Sequence, residues 1–535
     1  GDKYRTGKVI PKGLPGAGTR DDSAFTTEMD PRGIQPGTAI VTWVKRTDAP
    51  SAPAATQVHY RDFWGPAQSK RQALIASLPT GSPSAPEAAP AYEAIQPNAE
   101  GRWRLAPRVV EGGFEAWPAL EELFFSNFQA VNPSRGLEGT VIDTTKASLE
   151  ARMAAYFNSP TFSEIAQIHP GFAVPRANYK PEKVWDEVHQ SGFEKKRIRP
   201  YLTFPLDSRW IYYSEHPHLL DRHSPEFAKS KDGNEFLVTV PEPRKESEAS
   251  PVYSSTLVGL HVHERGSVVF PREIVSDDLL ANRDANISEA AWRVLRDHFD
   301  LAGARSDDDA RAFVGKLFRV AFAILHAPTY QAEHKSALSS DWAHLPIPKD
   351  AKLLEKLSDA GEQVVRLLDA NRDARDVIEA VLTPDRAKRL GQLRRKDGKP
   401  VTADDLKVTV TYWGGGKGKW VPRPFTDEEL PDAPVGDFWG ERTGDLFLND
   451  QAHFAHVPET IWLYQLGGYP VLKKWLGYRQ ADRHEGKPLS DDERRWLRQM
   501  IQRIAALQAL SPSLDALYQD VAADSFTAAE LNVRT

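Results

Sequence analysis

Two stretches rich in proline, alanine and serine constrain the fold of this chain more than any other feature. They run over Thr47–Thr56 (TDAPSAPAAT) and Pro79–Glu100 (PTGSPSAPEAAPAYEAIQPNAE). Such segments are typical of linkers or long surface loops. Around them we predict only a buried strand over Ala39–Val44, a strand in QVHYRDFWG and a helix near Gln68–Leu78. Residues 1–80 therefore have too few elements to close a domain of their own.

Downstream, the pattern is mixed over residues 101–285 and mainly helical over residues 286–535. The mixed region predicts a helix over Thr145–Phe157 and strands over Ser208–Tyr213, Glu235–Val240 and Thr256–Phe270, the last with a hairpin turn at Gly266. In the helical region, apolar residues recur at helical spacing from Phe313 to Leu325, after a cap at Ser306, and from Leu353 to Leu368. A capping box at Ser490–Glu493 opens a further helix, and Lys407–Trp413 predicts a strand in a β insert near residues 405–425. The predicted fold class is mixed α+β.

Composition narrows the functions available to the chain. Cysteine is absent, which excludes thiolate nucleophiles and cysteine-ligated metals and fits a cytoplasmic protein. No run approaches 18 apolar residues, so we expect no membrane span. The net charge of −6 argues against indiscriminate coating of nucleic acid. The chain begins with Gly1 and lacks a clear opening element, so we expect it to be part of a longer protein.

Local charge is uneven. Seven basic residues face one acid over Arg386–Lys399, and nine face five over Lys473–Arg503. Such runs are either solvated helix faces or contact surfaces. A third cluster, FEKKRIRPYLTFPLDSRWIYY (Phe193–Tyr213), combines arginine and lysine with tyrosine and tryptophan. Arginine can pair with guanine edges or phosphates and aromatic rings can stack on bases, but an aromatic β-sheet with solvated arginines explains the same composition.

Motifs for catalysis and cofactors are weak. The glycine turn over Gly414–Lys419 lacks the Ser or Thr that a P-loop places after its lysine, so a hairpin tip is the better interpretation, although its lysines could touch a phosphate. Five histidines in two short segments (His216, His218, His223, His261 and His263) lack a metalloenzyme spacing and are better explained as structural. Neither a G-x-S-x-G elbow nor a Rossmann fingerprint is present. We therefore predict no catalytic residue, metal site or cofactor site in this chain.

Several segments, in order, resemble one family: the adenine-specific DNA methyltransferases of the single-polypeptide type ISP restriction-modification enzymes. GTRDDSAFTTEMDPRGIQPGTAIVTWVKR resembles the end of the methyltransferase domain, and VHYRDFWGPAQSKRQAL the strand and helix after it. FFSNFQAVNPSRGLEGTVID resembles the start of the target-recognition region, with an altered motif that keeps Arg135. IRPYLTFPLDSRWIYY and FAILHAPTYQAEHKSALSSDWAHLPIP follow, the second with His344 and Leu345 where the pattern has Pro-Arg. VPETIWLYQLGGYPVLKKWLGYR is the most specific match.

The resemblance implies three parts: the edge of an α/β methyltransferase domain at residues 1–80, a target-recognition region at 101–285 and a helical C-terminal region at 286–535. The parent enzyme would transfer a methyl group from S-adenosylmethionine to adenine. The F-x-G-x-G and N-P-P-Y motifs of that chemistry do not occur here, and the only Asn-Pro is followed by Ser134. Catalysis is thus expected outside this chain, and the expected partners are double-stranded DNA and either the missing methyltransferase portion or other subunits of a defence system.

The expected function is sequence-specific recognition of double-stranded DNA in a restriction-modification or phage-defence system. The candidate DNA-binding residues are basic and lie in these segments: Arg135, Lys195, Arg197, Arg199, Arg209, Lys417, Lys419, Lys473, Lys474 and Arg479. Two alternatives remain at this point. One is a degenerate methyltransferase relative that acts as an interaction scaffold in a defence complex, and the other is a complete enzyme with an unrecognised active site.

Overall fold

The structure of the chain is a computed structural model. It describes residues 8–10, 15–35, 38–41, 58–76, 92–97, 105, 113–133, 140–176, 179–216, 218–229, 233–243, 248–264, 266–275, 283–339, 341–429, 439, 442–483 and 486–534. The chain divides into two compact units, Gly1–Val110 with Thr535, and Glu111–Arg534. In the described residues, no helix is both long enough and apolar enough to cross a membrane.

The first unit contains a strand pair and one helix: β1 (Val58–Tyr60), α1 (Ala67–Ala76) and β2 (Glu93–Ile95). β1 and β2 are antiparallel. A buried ion pair joins Lys70 of α1 to Asp21 at 2.5 Å, and the backbone N–H of Gly65 donates to the same carboxylate at 2.9 Å. The strand and helix predicted around residues 58 and 68 are confirmed. The predicted strand over Ala39–Val44 is not found at residues 39–41, and residues 42–44 lie outside the described part of the chain.

The second unit is a mixed α+β fold, as predicted. Its strands are β3 (Phe128–Gln129), β4 (Ile142–Asp143), β5 (Ile198–Phe204), β6 (Asp207–Tyr212), β7 (Phe236–Thr239), β8 (Val252–Ser254), β9 (Leu257–Val258), β10 (Val268–Pro271), β11 (Glu273–Val275), β12 (Arg283–Ala285), β13 (Ile347–Pro348), β14 (Gln392–Arg395), β15 (Trp420–Arg423), β16 (Thr443–Phe447), β17 (Ala452–Ala455), β18 (Gln465–Leu466), β19 (Tyr469–Pro470) and β20 (Ser525–Phe526).

Helices dominate the later half of this unit. They are α2 (Leu120–Leu123), α3 (Lys146–Asn158), α4 (Phe162–Ile168), α5 (Pro181–Val188), α6 (Pro225–Lys229), α7 (Glu289–His298), α8 (Asp308–Leu325), α9 (Pro328–Glu333), α10 (Lys335–Leu338), α11 (Ala351–Leu368), α12 (Arg375–Leu382), α13 (Pro384–Arg389), α14 (Glu459–Leu463), α15 (Val471–Tyr478) and α16 (Asp491–Ala523). Helix starts follow their caps: the Thr145 hydroxyl accepts from Ser148 at 3.3 Å, and Ser490 and Glu493 form the predicted capping box. The cap of α8 is Asp307, one residue after the predicted Ser306.

Three four-stranded sheets carry most of the β structure, in the orders β3-β10-β7-β8, β4-β6-β5-β9 and β14-β17-β16-β15. The hairpin predicted over Thr256–Phe270 is wrong, because β9 runs parallel to β5 while β10 pairs with β3 and β7 in another sheet. The strand predicted over Lys407–Trp413 is also wrong: these residues make a single bridge, from Val408 to Gln480. The third sheet instead extends from residue 392 to 455, well beyond the predicted insert.

Buried contacts cross the predicted boundary between residues 285 and 286. Glu235, beside β7, accepts from both Nη atoms of Arg319 in α8 at 2.6 Å and from the Tyr253 hydroxyl at 2.8 Å. α8 packs along α11, and α11 along α16. The boundary therefore lies inside one compact unit.

The two ends of the second unit also meet. The backbone N–H of Ala528 donates to the carbonyl of Ala116 at 2.6 Å, and Arg534 pairs with Glu122 at 2.6 Å. These contacts hold the last residues of the unit against its first turn of helix.

Candidate nucleic-acid interface

The β5–β6 hairpin places the candidate residues of the Phe193–Tyr213 cluster on two different faces. Because opposite residues of an antiparallel pair share a face, Arg209 lies beside its partner Tyr201 on the buried side of the sheet. The side chain of Arg209 is 0% exposed and pairs with Asp207 at 2.8 Å. The prediction that Arg209 contacts DNA is therefore corrected: its guanidinium is enclosed in the protein.

Arg479 belongs to the same buried network. It donates to Asp207 at 3.1 Å and to Glu493 at 2.9 Å, and its guanidinium lies 3.6 Å from the centre of the Trp475 ring. Burial would raise the pKa of Asp207, but the two guanidinium groups hold it below its ordinary value. Arg479 is 3% exposed, so its predicted backbone contact is also corrected. The contacts of Arg479 with Asp207 and Glu493 join the β5–β6 hairpin to α15 and α16.

Lys474 lies next to this network, among aromatic rings. Its ammonium is 4.5 Å from the ring centre of Phe204, 4.3 Å from that of Tyr469, 5.2 Å from that of Trp413 and 5.5 Å from that of Tyr478. Burial is the main cause that lowers the pKa of Lys474 to about 8. These ring contacts give the half-buried Lys474 side chain a packing role, and its DNA contact stays a prediction.

Three further cations of the cluster lie at the surface. A short 3₁₀ turn precedes β5 and carries Lys195, Lys196 and Arg197. Lys195 pairs with Glu150 of α3 at 2.7 Å, while Lys196 and Arg197 share Glu194 at 2.8 and 2.6 Å. Exposed pairs of this kind contribute only about 0–1 kcal/mol, so a phosphate can replace the carboxylates at small cost.

Sequence reasoning missed a neighbouring residue, Lys146 in the first turn of α3. Its ammonium lies 5.0 Å from the ring centre of Trp210, which is half-buried on β6. Lys146 is one helical turn before Glu150, the partner of Lys195, so both lysines flank the same face of α3. A lysine four residues before a glutamate in the predicted helix was the available signal. We call Lys146, Lys195, Lys196, Arg197 and Trp210 the basic edge.

The remaining candidates are not part of the basic edge. Arg199 is half-buried on β5 opposite Ile211, and Arg135 lies outside the described residues. Lys417 is exposed in the glycine turn, whereas Lys419 pairs with Asp450 at 2.9 Å, 4.9 Å from the centre of the Phe447 ring. Lys473 is half-buried on α15. These five stay predictions.

A metal centre finds no support in the described part of the chain, where no group of three or more His, Asp or Glu side chains is placed to hold an ion. One of the five histidines, His263, packs in the interior instead. It is completely buried, its Nε2 lies 3.1 Å from the carbonyl of Val238, and burial lowers its pKa to about 4.

Comparison with known proteins identifies the class of the second unit. Residues 138–507 match the family described as the Type ISP C-terminal specificity domain. The match covers more than half of the chain, which therefore belongs to this family. No curated protein matches the sequence.

Solved structures include three similar chains. The DrdV–DNA complex is 16% identical, with 84% of this chain and 42% of that chain covered and a TM-score of 0.49. The ATP-dependent Type ISP restriction-modification enzyme LlaBIII bound to DNA is 13% identical (80% and 26% covered, TM-score 0.48). A nuclease-deletion mutant of the Type ISP enzyme LlaGI with a DNA substrate mimic is also 13% identical (86% and 39% covered, TM-score 0.46). The present chain spans less than half the length of each.

Proposed function

We propose that this chain recognises a specific sequence in double-stranded DNA for an adenine-specific methyltransferase of a restriction-modification or phage-defence system. The observation that carries the proposal is the basic edge, which lies within a unit that belongs to a specificity-domain family. Four cations beside an outward-facing indole ring are suited to a phosphate backbone and the bases next to it.

The chemistry of these side chains separates residues that bind phosphates from residues that read bases. Lys195, Lys196 and Arg197 exchange their surface carboxylates for phosphates and fix the register of the protein on the duplex. Arg199 and residues around it would then read base edges in the major groove. The target adenine, held in place by these contacts, would be flipped into a catalytic domain.

The methyl donor is assigned to that other domain. The chain contains neither the glycine-rich loop that would cradle S-adenosylmethionine nor the N-P-P-Y motif that would hold adenine, so its residues do not fit the cofactor. We infer that residues 1–80 are the edge of the methyltransferase domain, which the resemblance of that segment supports. No methyl-transfer step is assigned to this chain.

A titration of the full chain with labelled duplexes at several salt concentrations tests the proposal. Substitution of Lys146, Lys195 and Arg197 by alanine should weaken binding and lower the slope of log K against log[salt] by up to about 0.9 for each phosphate that the protein no longer neutralises. Lys183→Ala is the matched control for the single change Lys195→Ala, since Lys183 is 70% exposed on α5 and pairs with Glu187 as Lys195 pairs with Glu150.

Affinity that does not change with salt, or that is equal in the parent and the triple variant, would contradict the proposal. If the chain binds no duplex but copurifies with partner proteins, the interaction-scaffold alternative is favoured instead.

A further inference from the structure

A groove in the second unit brings the two basic runs of the sequence together. It lies between α12, α13 and the outer face of α16 and has a volume of about 420 Å³. Five of its lining residues are cations and two are acids: Arg375, Lys388, Arg495, Arg498 and Arg503 against Asp373 and Glu379. The lining is therefore strongly positive, although the chain as a whole carries a net charge of −6.

Two arginines of α16 form the inner wall and are held by carbonyl groups. Arg498 donates to the carbonyls of Leu390 at 3.2 Å and Lys388 at 2.6 Å, at the end of α13. Arg503 donates to the carbonyls of Leu367 at 3.1 Å and Asp369 at 3.0 Å, at the end of α11. Carbonyl groups at helix C-termini satisfy these donors and interact favourably with their charge. They carry only partial charges, so they do not neutralise either guanidinium.

The inner wall also holds an unused donor. Arg503 is 1% exposed, and its Nε–H has no hydrogen-bond partner among the described residues. Burial is the main cause that lowers the pKa of Arg503 to about 10, and it also lowers the pKa of Arg498. Near Arg503, the carboxylates of Asp369 and Asp373 offset the effect of burial only in part. Both guanidinium groups nevertheless remain charged at neutral pH, and a buried cation of this kind gains from an anion that enters the groove.

The rim adds cations that are accessible from solvent. Arg375 at the start of α12 and Lys388 in α13 are exposed, and neither forms an ion pair with a carboxylate in the described residues. Arg495 is 65% exposed and pairs with Asp492, itself 90% exposed. Guanidinium and ammonium groups that converge from three helices match the several oxygens of a phosphate better than a single carboxylate.

We propose that this groove is a phosphate-binding site, distinct from the basic edge. Arg375, Lys388 and Arg495 capture the phosphate, while Arg498 and Arg503 provide a fixed positive wall. A DNA backbone and a free phosphorylated ligand offer the same chemistry, and experiment can separate them. The proposal does not depend on base recognition by the basic edge.

The groove variant for the test is the triple substitution of Arg375, Lys388 and Arg495 by alanine in the full chain. Its control removes the same charge elsewhere, by alanine at Lys352, Lys356 and Arg494, which lie on α11 and α16 outside the groove lining. The single change Lys388→Glu, at an exposed position, provides a second variant whose folding should be undisturbed. Circular dichroism verifies that each variant is folded.

Binding is measured by calorimetry with inorganic phosphate at constant ionic strength and by titration with a duplex at several salt concentrations. We expect phosphate to bind the parent and the control but at least tenfold more weakly to both groove variants. If the duplex is the source, the groove triple also lowers the salt slope by about two to three, at about 0.9 for each phosphate contact. Phosphate binding without any change in the duplex titration supports the site and assigns it to a free ligand.

Two results would overturn the proposal. One is equal binding of both probes by the parent and the groove variants. The other is a groove that binds a polyglutamate peptide but not phosphate, which would make it a docking site for an acidic protein segment. Since the basic edge is intact in the groove variants, failure here is distinguishable from failure of the DNA-recognition proposal.

Discussion

At the scale of single residues, we expect the buried carboxylate of Asp207 to contribute most to the stability of the fold. It pairs with two guanidinium groups, those of Arg209 and Arg479, and all three side chains are at most 4% exposed. When one partner of a buried ion pair is removed, the remaining charge stays in a medium of low polarity. The largest losses of stability should therefore arise at this position and not at the many surface pairs.

Asp207→Ala is expected to lower the free energy of unfolding by about 3–5 kcal/mol, because it leaves two buried cations with less compensation. Urea unfolding at pH 7 measures the change. Asp492→Ala, which breaks the exposed pair with Arg495, is the matched control and should cost less than about 1 kcal/mol. A loss below about 1 kcal/mol for Asp207→Ala would show that the network is dispensable.

The same carboxylate predicts a pH dependence. Since the folded-state pKa of Asp207 is below its unfolded value near 3.9, its stabilising contribution is complete above that value and is lost as the pH falls through the folded pKa. The stability difference between the parent and Asp207→Ala should therefore shrink in strong acid. A difference that stays constant from pH 7 down to the acid transition would disprove this role.

Lys474 should also make stability increase with pH, but at alkaline pH. Its folded-state pKa of about 8 is below its unfolded value near 10.4, so the unfolded chain binds more protons between these values. Stability relative to Lys474→Met should increase as the pH rises from about 8 to about 10. Urea unfolding across that range measures the effect, with Lys473→Met on the same helix as the control. A difference that does not depend on pH would contradict the lowered pKa.

At the scale of elements, close contact between α8 and α11 depends on Gly361. A Cβ atom built at Gly361 would lie 1.9 Å from the carbonyl oxygen of Arg319, which leaves no space for a side chain. At Gly315, within α8, the nearest atom to such a Cβ is 3.8 Å away, an ordinary contact distance. The two glycines therefore have opposite expectations, although both lie inside helices.

Gly361→Ala should destabilise the protein by about 1–3 kcal/mol, because the helices must move apart to accommodate the methyl group. Gly315→Ala should be neutral or stabilising by up to about 1 kcal/mol, because alanine is the better helix former. Thermal or urea unfolding of both variants makes the comparison. Equal effects of the two substitutions would mean that helix propensity, and not interhelical contact, governs Gly361.

Sequence reasoning located elements better than it located their partners. The capping signals at Thr145 and Ser490 are local, so the starts of α3 and α16 were predictable. Strand pairing is not local, which is why β9 and β10 were expected to form one hairpin. For the same reason, Arg209 and Arg479 were candidates for DNA contact. Arg479 pairs with Asp207, 272 residues away in the sequence, and the Arg209 guanidinium lies 4.8 Å from the ring centre of the similarly distant Tyr478. The groove could not be predicted from the sequence, because the two basic runs that line it come together only in the folded chain.

At the scale of the whole molecule, the second unit should behave as one cooperative structure. Glu235–Arg319 and Asp207–Arg479 cross the predicted boundary at residues 285 and 286, and β13 pairs with β20 across a long stretch of sequence. Residues 111–534 expressed alone should therefore unfold in one transition. Tryptophan fluorescence and circular dichroism in urea should give coincident curves. Two separated transitions would instead support independent domains on either side of residue 285.

The contact of Ala528 with Ala116, together with the Arg534–Glu122 pair, has a practical consequence for how this unit can be joined to other proteins. Its chain enters and leaves at one place, a geometry that tolerates circular permutation and insertion into a host loop. A short glycine-serine bridge could join the two ends, and new termini could be opened in an exposed loop far from the basic edge and the groove. We therefore expect the second unit to keep its fold when it is inserted into another protein.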